Sequence, residues 1–184
     1  MNDSNVPATQ TFSGTYVVDR DHSSLQFAVE HMKLSSFRAS FEDVHGRLAA
    51  DADGISIEGS TPVQSISIKA PPELRDQVIR DFFLGDDNPE VIFRSTEVEL
   101  GDDDTAKVTG ELTMRGVACT ITAEGSYRRP IEDPYGAQRA ALELRTTIDR
   151  RDWGIDWQMP LPDGTDAVGW EVELSANLEL IGEA

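Results

Sequence analysis

Between residues 168 and 180 the apolar side chains fall on every second position. Val168, Trp170, Val172, Leu174, Ala176, Leu178 and Leu180 share one parity, and Glu171, Glu173, Ser175, Asn177 and Glu179 share the other. Two residues is the repeat of an extended strand, so this stretch forms a strand with one face in a core and one in water. A helix would scatter the same seven side chains around its circumference and bury few of them. The pattern recurs along the chain, which predicts further strands over 91–100, 106–114, 117–128 and 137–149.

Two separated segments read as strand, corner, strand, each a hairpin of antiparallel strands joined at a close corner. In the first, Gly14-Thr15-Tyr16-Val17-Val18-Asp19 precedes the polar corner Arg20-Asp21-His22-Ser23-Ser24. Leu25, Phe27, Val29 and His31 then alternate with Gln26, Ala28 and Glu30. In the second, Leu112 and Met114 lead to a turn at Arg115-Gly116, followed by Val117, Cys119 and Ile121 on one parity. Phe37, Ala39 and Phe41 keep one parity whereas Val44, Gly46 and Leu48 keep the other, so a bulge or bend is expected near Glu42-Asp43. A turn at Asp51-Ala52-Asp53-Gly54 follows. Ile55, Ile57, Ile66 and Ile68 mark a strand interrupted around Thr61-Pro62. The one helix expected runs over about 73–84. It opens after Ala70-Pro71-Pro72, carries Leu74, Val78 and Phe82 on one face, and stops at Asp86-Asp87-Asn88-Pro89. Many short strands with one helix indicate an all-β barrel or sandwich, and length does not choose between them.

The 184 residues fit one domain over 11–184, preceded by a polar, flexible arm over 1–10 that carries Pro7. With 34 acidic and 16 basic residues the net charge is −18, which disfavours nucleic acid and anionic bilayer surfaces and fits a solvated acidic exterior. Cys119, the single cysteine, has no partner for an internal disulfide and its parity reads as a buried small hydrophobe. No stretch has the form of a secretion signal or a membrane-spanning helix, so the expectation is a cytoplasmic protein without stable membrane insertion. Monomer and homodimer are both left open.

Together with Phe93-Arg94-Ser95-Thr96 and the run from Thr147 to Gly154, which includes Arg150-Arg151-Asp152-Trp153, the two strand-corner-strand segments resemble the YceI family of lipocalin-like, polyisoprenoid-binding proteins. The resemblance extends from about Gly14 to about Ile181. It implies an extended eight-stranded antiparallel barrel of lipocalin type, capped by the helix, around an elongated apolar cavity. It also implies that the partner is a long-chain isoprenoid, a polyprenyl lipid or an isoprenoid quinone, which the protein binds, stores or transports. The amino terminus departs from the many exported relatives, having no basic or apolar leader.

Parity puts Phe27, Val29, Phe37, Phe41, Phe93, Trp170 and Val172 inward, with Phe82 or Phe83 contributed by the helix. Each is either core or ligand wall. The 151–166 loop carries Trp153, Ile155, Trp157, Met159 and Leu161 on alternate positions, with Pro160, Pro162 and Gly164, and reads as a flap that either packs on the rim or touches ligand. Such side chains suit a long flexible chain, which needs contact area more than directed hydrogen bonds. Each buried methylene contributes about 0.8 kcal/mol, so roughly twenty carbons contribute on the order of 16 kcal/mol before the cost of immobilisation. Fatty acids or fatty amides would fit the same cavity, and a packed interaction module is the reading without a cavity.

His31 shares the inward parity and could meet a polar head. Asp19, His22, Ser23 and His31 match the opening motif of the family, and the residues themselves predict a hydrogen-bonded corner at Asp21-His22-Ser23. Arg75 and Asp76 match the start of the family's helix, where they either form a helix-to-barrel ion pair or clamp a head group. The histidine expected after that pair is absent, Val78-Ile79 standing in its place. His22, His31 and His45 lack the spacing of a compact metal site, so no metal or cofactor is expected. Ser23 beside His22 lacks any nucleophile motif, which leaves a small hydrolase as the reading of a different class.

Overall fold

The computed structural model describes residues 12–183, and the expected arm over 1–10 lies outside them. The strands are β1 (Gly14–Val18), β2 (Ser24–His31), β3 (Ser35–Phe41), β4 (His45–Asp51), β5 (Gly54–Pro62) and β6 (Ile66–Ile68) before the helix, and β7 (Glu90–Leu100), β8 (Thr105–Met114), β9 (Val117–Glu132), β10 (Gln138–Asp149) and β11 (Val168–Gly182) after it. Every pairing is antiparallel, and β1 closes the sheet onto β11.

The segment over 14–31 is one broken stave rather than a hairpin. β1 and β2 do not pair with each other: they lie end to end along β11, with Val18 opposite Leu180 and Ser24 opposite Asn177. Likewise β3 and β4 continue one another along β2 and β1, and β5 and β6 along β4 and β3. Three broken staves and five continuous strands therefore form a closed eight-stranded up-and-down barrel. The breaks are the polar corner after Val18, the parity change before His45 and a 3-10 turn at Val63–Ser65. Breaks let staves bend while their neighbours continue, the means by which a long sheet curls shut.

The segment around Arg115-Gly116 is a true hairpin. Met114 faces Val117, and both turn residues have positive φ (53° and 74°), as in the two-residue turns that match strand twist.

Helix α1 (Pro72–Gln77) passes directly into a π turn, Val78–Phe82, with Phe83 N–H donating to the Val78 carbonyl at 3.2 Å. Phe82, the last residue of this turn, and Phe83, which follows it, both face the barrel cavity. The helix covers the side of β6, because β7 begins opposite Pro62 and no strand flanks β6 there. Arg75 fastens it, donating from Nε to the Ile66 carbonyl at 2.9 Å and from Nη2 to the Gln64 carbonyl. The helix is thus tied to the barrel through backbone carbonyls and not through an ion pair, and the one salt bridge of Arg75, to Asp76 at 3.4 Å, stays within the helix.

Two clusters make up the interior. One end is plugged by Phe12, Tyr16 and Tyr127, with ring centroids 5.4 and 5.9 Å apart, and the Tyr127 hydroxyl donates to the Gly101 carbonyl. The other cluster surrounds the helix and includes Val63, Ile79, Phe83, Leu112, Met114 and Trp153. No helix among the described residues is long and apolar enough to cross a membrane.

Candidate functional site: an apolar cavity along the barrel

Between the two clusters lies a cavity of about 600 Å³, within the range of small-molecule sites. Its wall includes Leu142, Leu144, Ile148 and Arg150 of β10 and the turn after it, a stretch that rises roughly 25 Å at strand spacing. The floor is Val18, Leu48 and Leu180, just above the aromatic plug. The far end is bordered by Phe82, Trp157, Met159, His31 and Val168.

Strand alternation builds the wall. Phe27 and Val29 of β2 face Ala39 and Phe37 of β3, and Phe27 contacts the rings of Phe37 and Phe41 at 6.4 and 6.1 Å. Phe41 meets Phe83 edge to face at 5.9 Å, and Phe82 meets Trp157 at 5.6 Å. Phe93 lies against Gly110 of the neighbouring strand: a Cβ there would come 2.6 Å from its ring and 2.3 Å from the Arg94 carbonyl. The missing side chain lets the ring lie on the wall.

Ten of the twelve residues expected from the sequence border the cavity: Phe27, Val29, His31, Phe37, Phe41, Phe82, Phe83, Phe93, Trp157 and Met159. Trp153 and Trp170 do not. Trp153 is 2% exposed within the second cluster, its indole N–H donating to the Leu112 carbonyl at 3.0 Å. It sits in a 3-10 turn (Arg150–Trp153), so the start of the expected flap is core. Trp170 leaves the inward set because the pairing with β2 slips between Val168 and Val172. Its ring lies 4.2 and 4.8 Å from the guanidinium carbons of Arg150 and Arg151, and its N–H donates to Asp166 at 2.8 Å.

The rest of the loop is hydrogen-bonded at the rim. Gln158 bridges to both N–H and carbonyl of Val168, Ala167 N–H donates to the Met159 carbonyl, and Pro160 pairs with Asp166.

Sequence reasoning missed Arg150. Its parity is that of Leu142, Leu144 and Ile148, yet a cation is a poor guess for an inward position. It is 5% exposed, borders the cavity, and donates to the carbonyls of Gly169 (2.9 Å), Ile155 (2.6 Å) and Val168 (3.4 Å). Burial pushes its pKa down, and its hydrogen-bond partners among the described residues are carbonyls and not carboxylates.

Polar candidates at the plugged end are engaged with one another. Arg139 donates from Nη1 to Asp19 (2.7 Å) and Glu179, and from Nε to Asp133 (2.8 Å), while His22 Nδ1 lies 2.9 Å from Asp19. The Arg139 hydrogen bond, then that of His22, holds the Asp19 carboxyl down at about 2, and the Asp19 hydrogen bond raises the His22 pKa. Asp19, His22 and Glu179 are close enough to hold a cation, and the Arg139 guanidinium already supplies positive charge there. The Ser23 hydroxyl accepts from Glu179 N–H at 3.0 Å and faces its carbonyl at 3.3 Å, which makes it a strut of the corner. Cys119 Sγ is 3.6 Å from the Asp152 carbonyl, and burial raises its pKa, the opposite of an activated thiol.

The YceI-like domain model matches residues 16–180. A UPF0312 protein of Pseudomonas aeruginosa strain LESB58 is 29% identical over 177 residues, covering 94% of this chain and 89% of its own. A UPF0312 protein of Pseudomonas putida strain F1 is 30% identical over 153 residues, 80% of each chain. Burkholderia cenocepacia BcnA superposes with a TM-score of 0.73 at 19% identity, over 88% of this chain and 98% of that one. A polyisoprenoid binding domain from Saccharophagus degradans, implicated in plant cell wall breakdown, superposes with a TM-score of 0.72 at 12% identity, over 91% of this chain and 98% of that one. A barrel of this topology, matched to the family model along nearly its whole described length, places the chain in the YceI-like domain family.

Proposed function

We propose that the protein binds one long-chain isoprenoid lipid, a polyprenyl lipid or an isoprenoid quinone, in the barrel tunnel, and so carries or stores it in water. The observation that carries this reading is the continuous apolar cavity from the Val18, Leu48 and Leu180 floor to the Trp157 and Met159 rim. An extended chain along the staves would exchange water for aromatic and aliphatic wall, with free energy growing by about 0.8 kcal/mol per methylene. The polyisoprenoid binding of the Saccharophagus domain supports the same ligand class.

Native mass spectrometry of protein from its own host, followed by organic extraction, tests it. One apolar chain per protein is expected, and recovery of empty protein that also refuses added polyprenol would overturn it. Trp157→Ala should weaken polyprenol binding by about 1 to 3 kcal/mol, because a large contact area is removed at the rim. Tryptophan fluorescence during titration reads this out, and unchanged affinity would assign Trp157 to rim packing.

A second reading, a fatty acid with its carboxylate toward the mouth, is favoured by Arg150, three of whose five N–H donors are engaged. Recovery of acyl chains in the extract would select it.

A further inference from the structure

Apolar side chains that folding does not require surround the tunnel mouth. The β2–β3 turn is Met32-Lys33, with φ of 54° and 58°, a conformation that favours Asn and Gly and strains other residues. Leu34 after it is 86% exposed and Met32 is also exposed. Met32 N–H donates to the Ala167 carbonyl at 2.6 Å, and Ala167 in turn donates to Met159, so the turn and the loop form one rim. Trp157, Met159 and, from the helix, Leu74 are exposed on the same border. Neither Met32 nor Leu34 borders the cavity.

We propose that this rim is a docking surface for a neutral, zwitterionic lipid bilayer, on which the mouth seats to load and unload its chain. The inference rests on the proposed lipid cargo. A chain insoluble in water exchanges fastest where tunnel wall and bilayer interior are continuous, and the exposed apolar rim continues that wall outward. Met32 and Leu34 flanking Lys33 at this turn, on a rim that also carries Trp157, have the chemistry of an interfacial anchor, the apolar parts entering the acyl boundary while the ammonium stays among head groups. The net charge of −18 opposes an anionic surface, so apolar insertion rather than charge holds the contact. The opposite end also exposes Ile131 and Tyr135, around the β9–β10 turn, but there the interior is filled by Phe12, Tyr16 and Tyr127.

The experiment follows transfer of a fluorescent polyprenyl chain from protein to phosphatidylcholine vesicles. The wild-type rate should rise in proportion to vesicle concentration, as collision requires. Met32→Asn combined with Leu34→Ser should slow transfer by about tenfold through lost apolar insertion. Its affinity for the chain in solution should be unchanged, and Ile131→Ser should transfer at the wild-type rate. A rate independent of vesicle concentration, or a double variant as fast as wild type, overturns the proposal. Sedimentation showing that the double variant dissociates a wild-type dimer also overturns it, assigning the patch to a second copy. Flotation of ligand-free protein with the same vesicles reads docking separately. Failure to bind the chain would therefore refute the cargo, and failure to float would refute the surface.

Discussion

Gly110 lies on the inward parity of β8 with the Phe93 ring over it, and this one absent side chain affects both packing and lumen width. Alanine would have to displace the Arg94 carbonyl, which is backbone, as well as the ring. Gly110→Ala should therefore cost about 1 to 3 kcal/mol of stability, read by urea denaturation, and narrow the tunnel. Trp153→Ala should cost more, about 3 to 5 kcal/mol, since a buried indole and its hydrogen bond to Leu112 are lost together. Trp170→Ala opens no interior space and should destabilise less than Trp153→Ala. Arg139 acts through titration. Asp19 sits at about 2 and Asp133 is also lowered, in both cases first through Arg139. Carboxylates with depressed folded pKa values stabilise above their unfolded value, about 4, and lose that contribution as pH falls through about 2. Arg139→Met should thus lower the melting temperature at pH 7, with the gap from wild type closing between about pH 4 and pH 2. A gap independent of pH there would show that Arg139 acts by packing alone.

Among the elements, alternation identified the strands because a half-buried strand must alternate: the five long strands β7 to β11 lie within a few residues of their expected positions. The same signal could not tell a hairpin from a broken stave, since alternation describes one strand and pairing involves two. Tyr16 and Phe27 could have faced each other across a corner. Instead they follow one another along β11, a choice fixed by closure over more than 150 residues of sequence. The break before His45 was legible as a change of parity, because it moves inward side chains from odd to even positions. The slip at Trp170 was not, because both it and Val172 keep the pattern of an unbroken strand. Helical periodicity found Leu74, Val78 and Phe82, but it does not distinguish regular from π turns or choose between adjacent phenylalanines, and both Phe82 and Phe83 border the cavity. Of the site, the aromatic wall was written in residue type and parity. The inward arginine was not, since its charge is met by carbonyls that only the folded loop brings together.

At the scale of the whole molecule, an aromatic plug at one end and an apolar rim at the other give the cavity a direction, and the proposed ligand would lie with its chain terminus at the floor and its head group at the rim. The barrel is also a loop in sequence, for its first stave hydrogen-bonds its final strand: the Ser23 hydroxyl meets Glu179 across 156 residues. Such contacts are slow to form. During synthesis on the ribosome β1 and β2 emerge long before β11, and until it arrives the sheet has two unpaired edges and an interior open to water. A newly made chain thus passes through an interval in which the apolar surface destined for the barrel interior is available to any other unfolded segment, and nascent chains halted before β11 should be captured by holding chaperones while those extended past it are released.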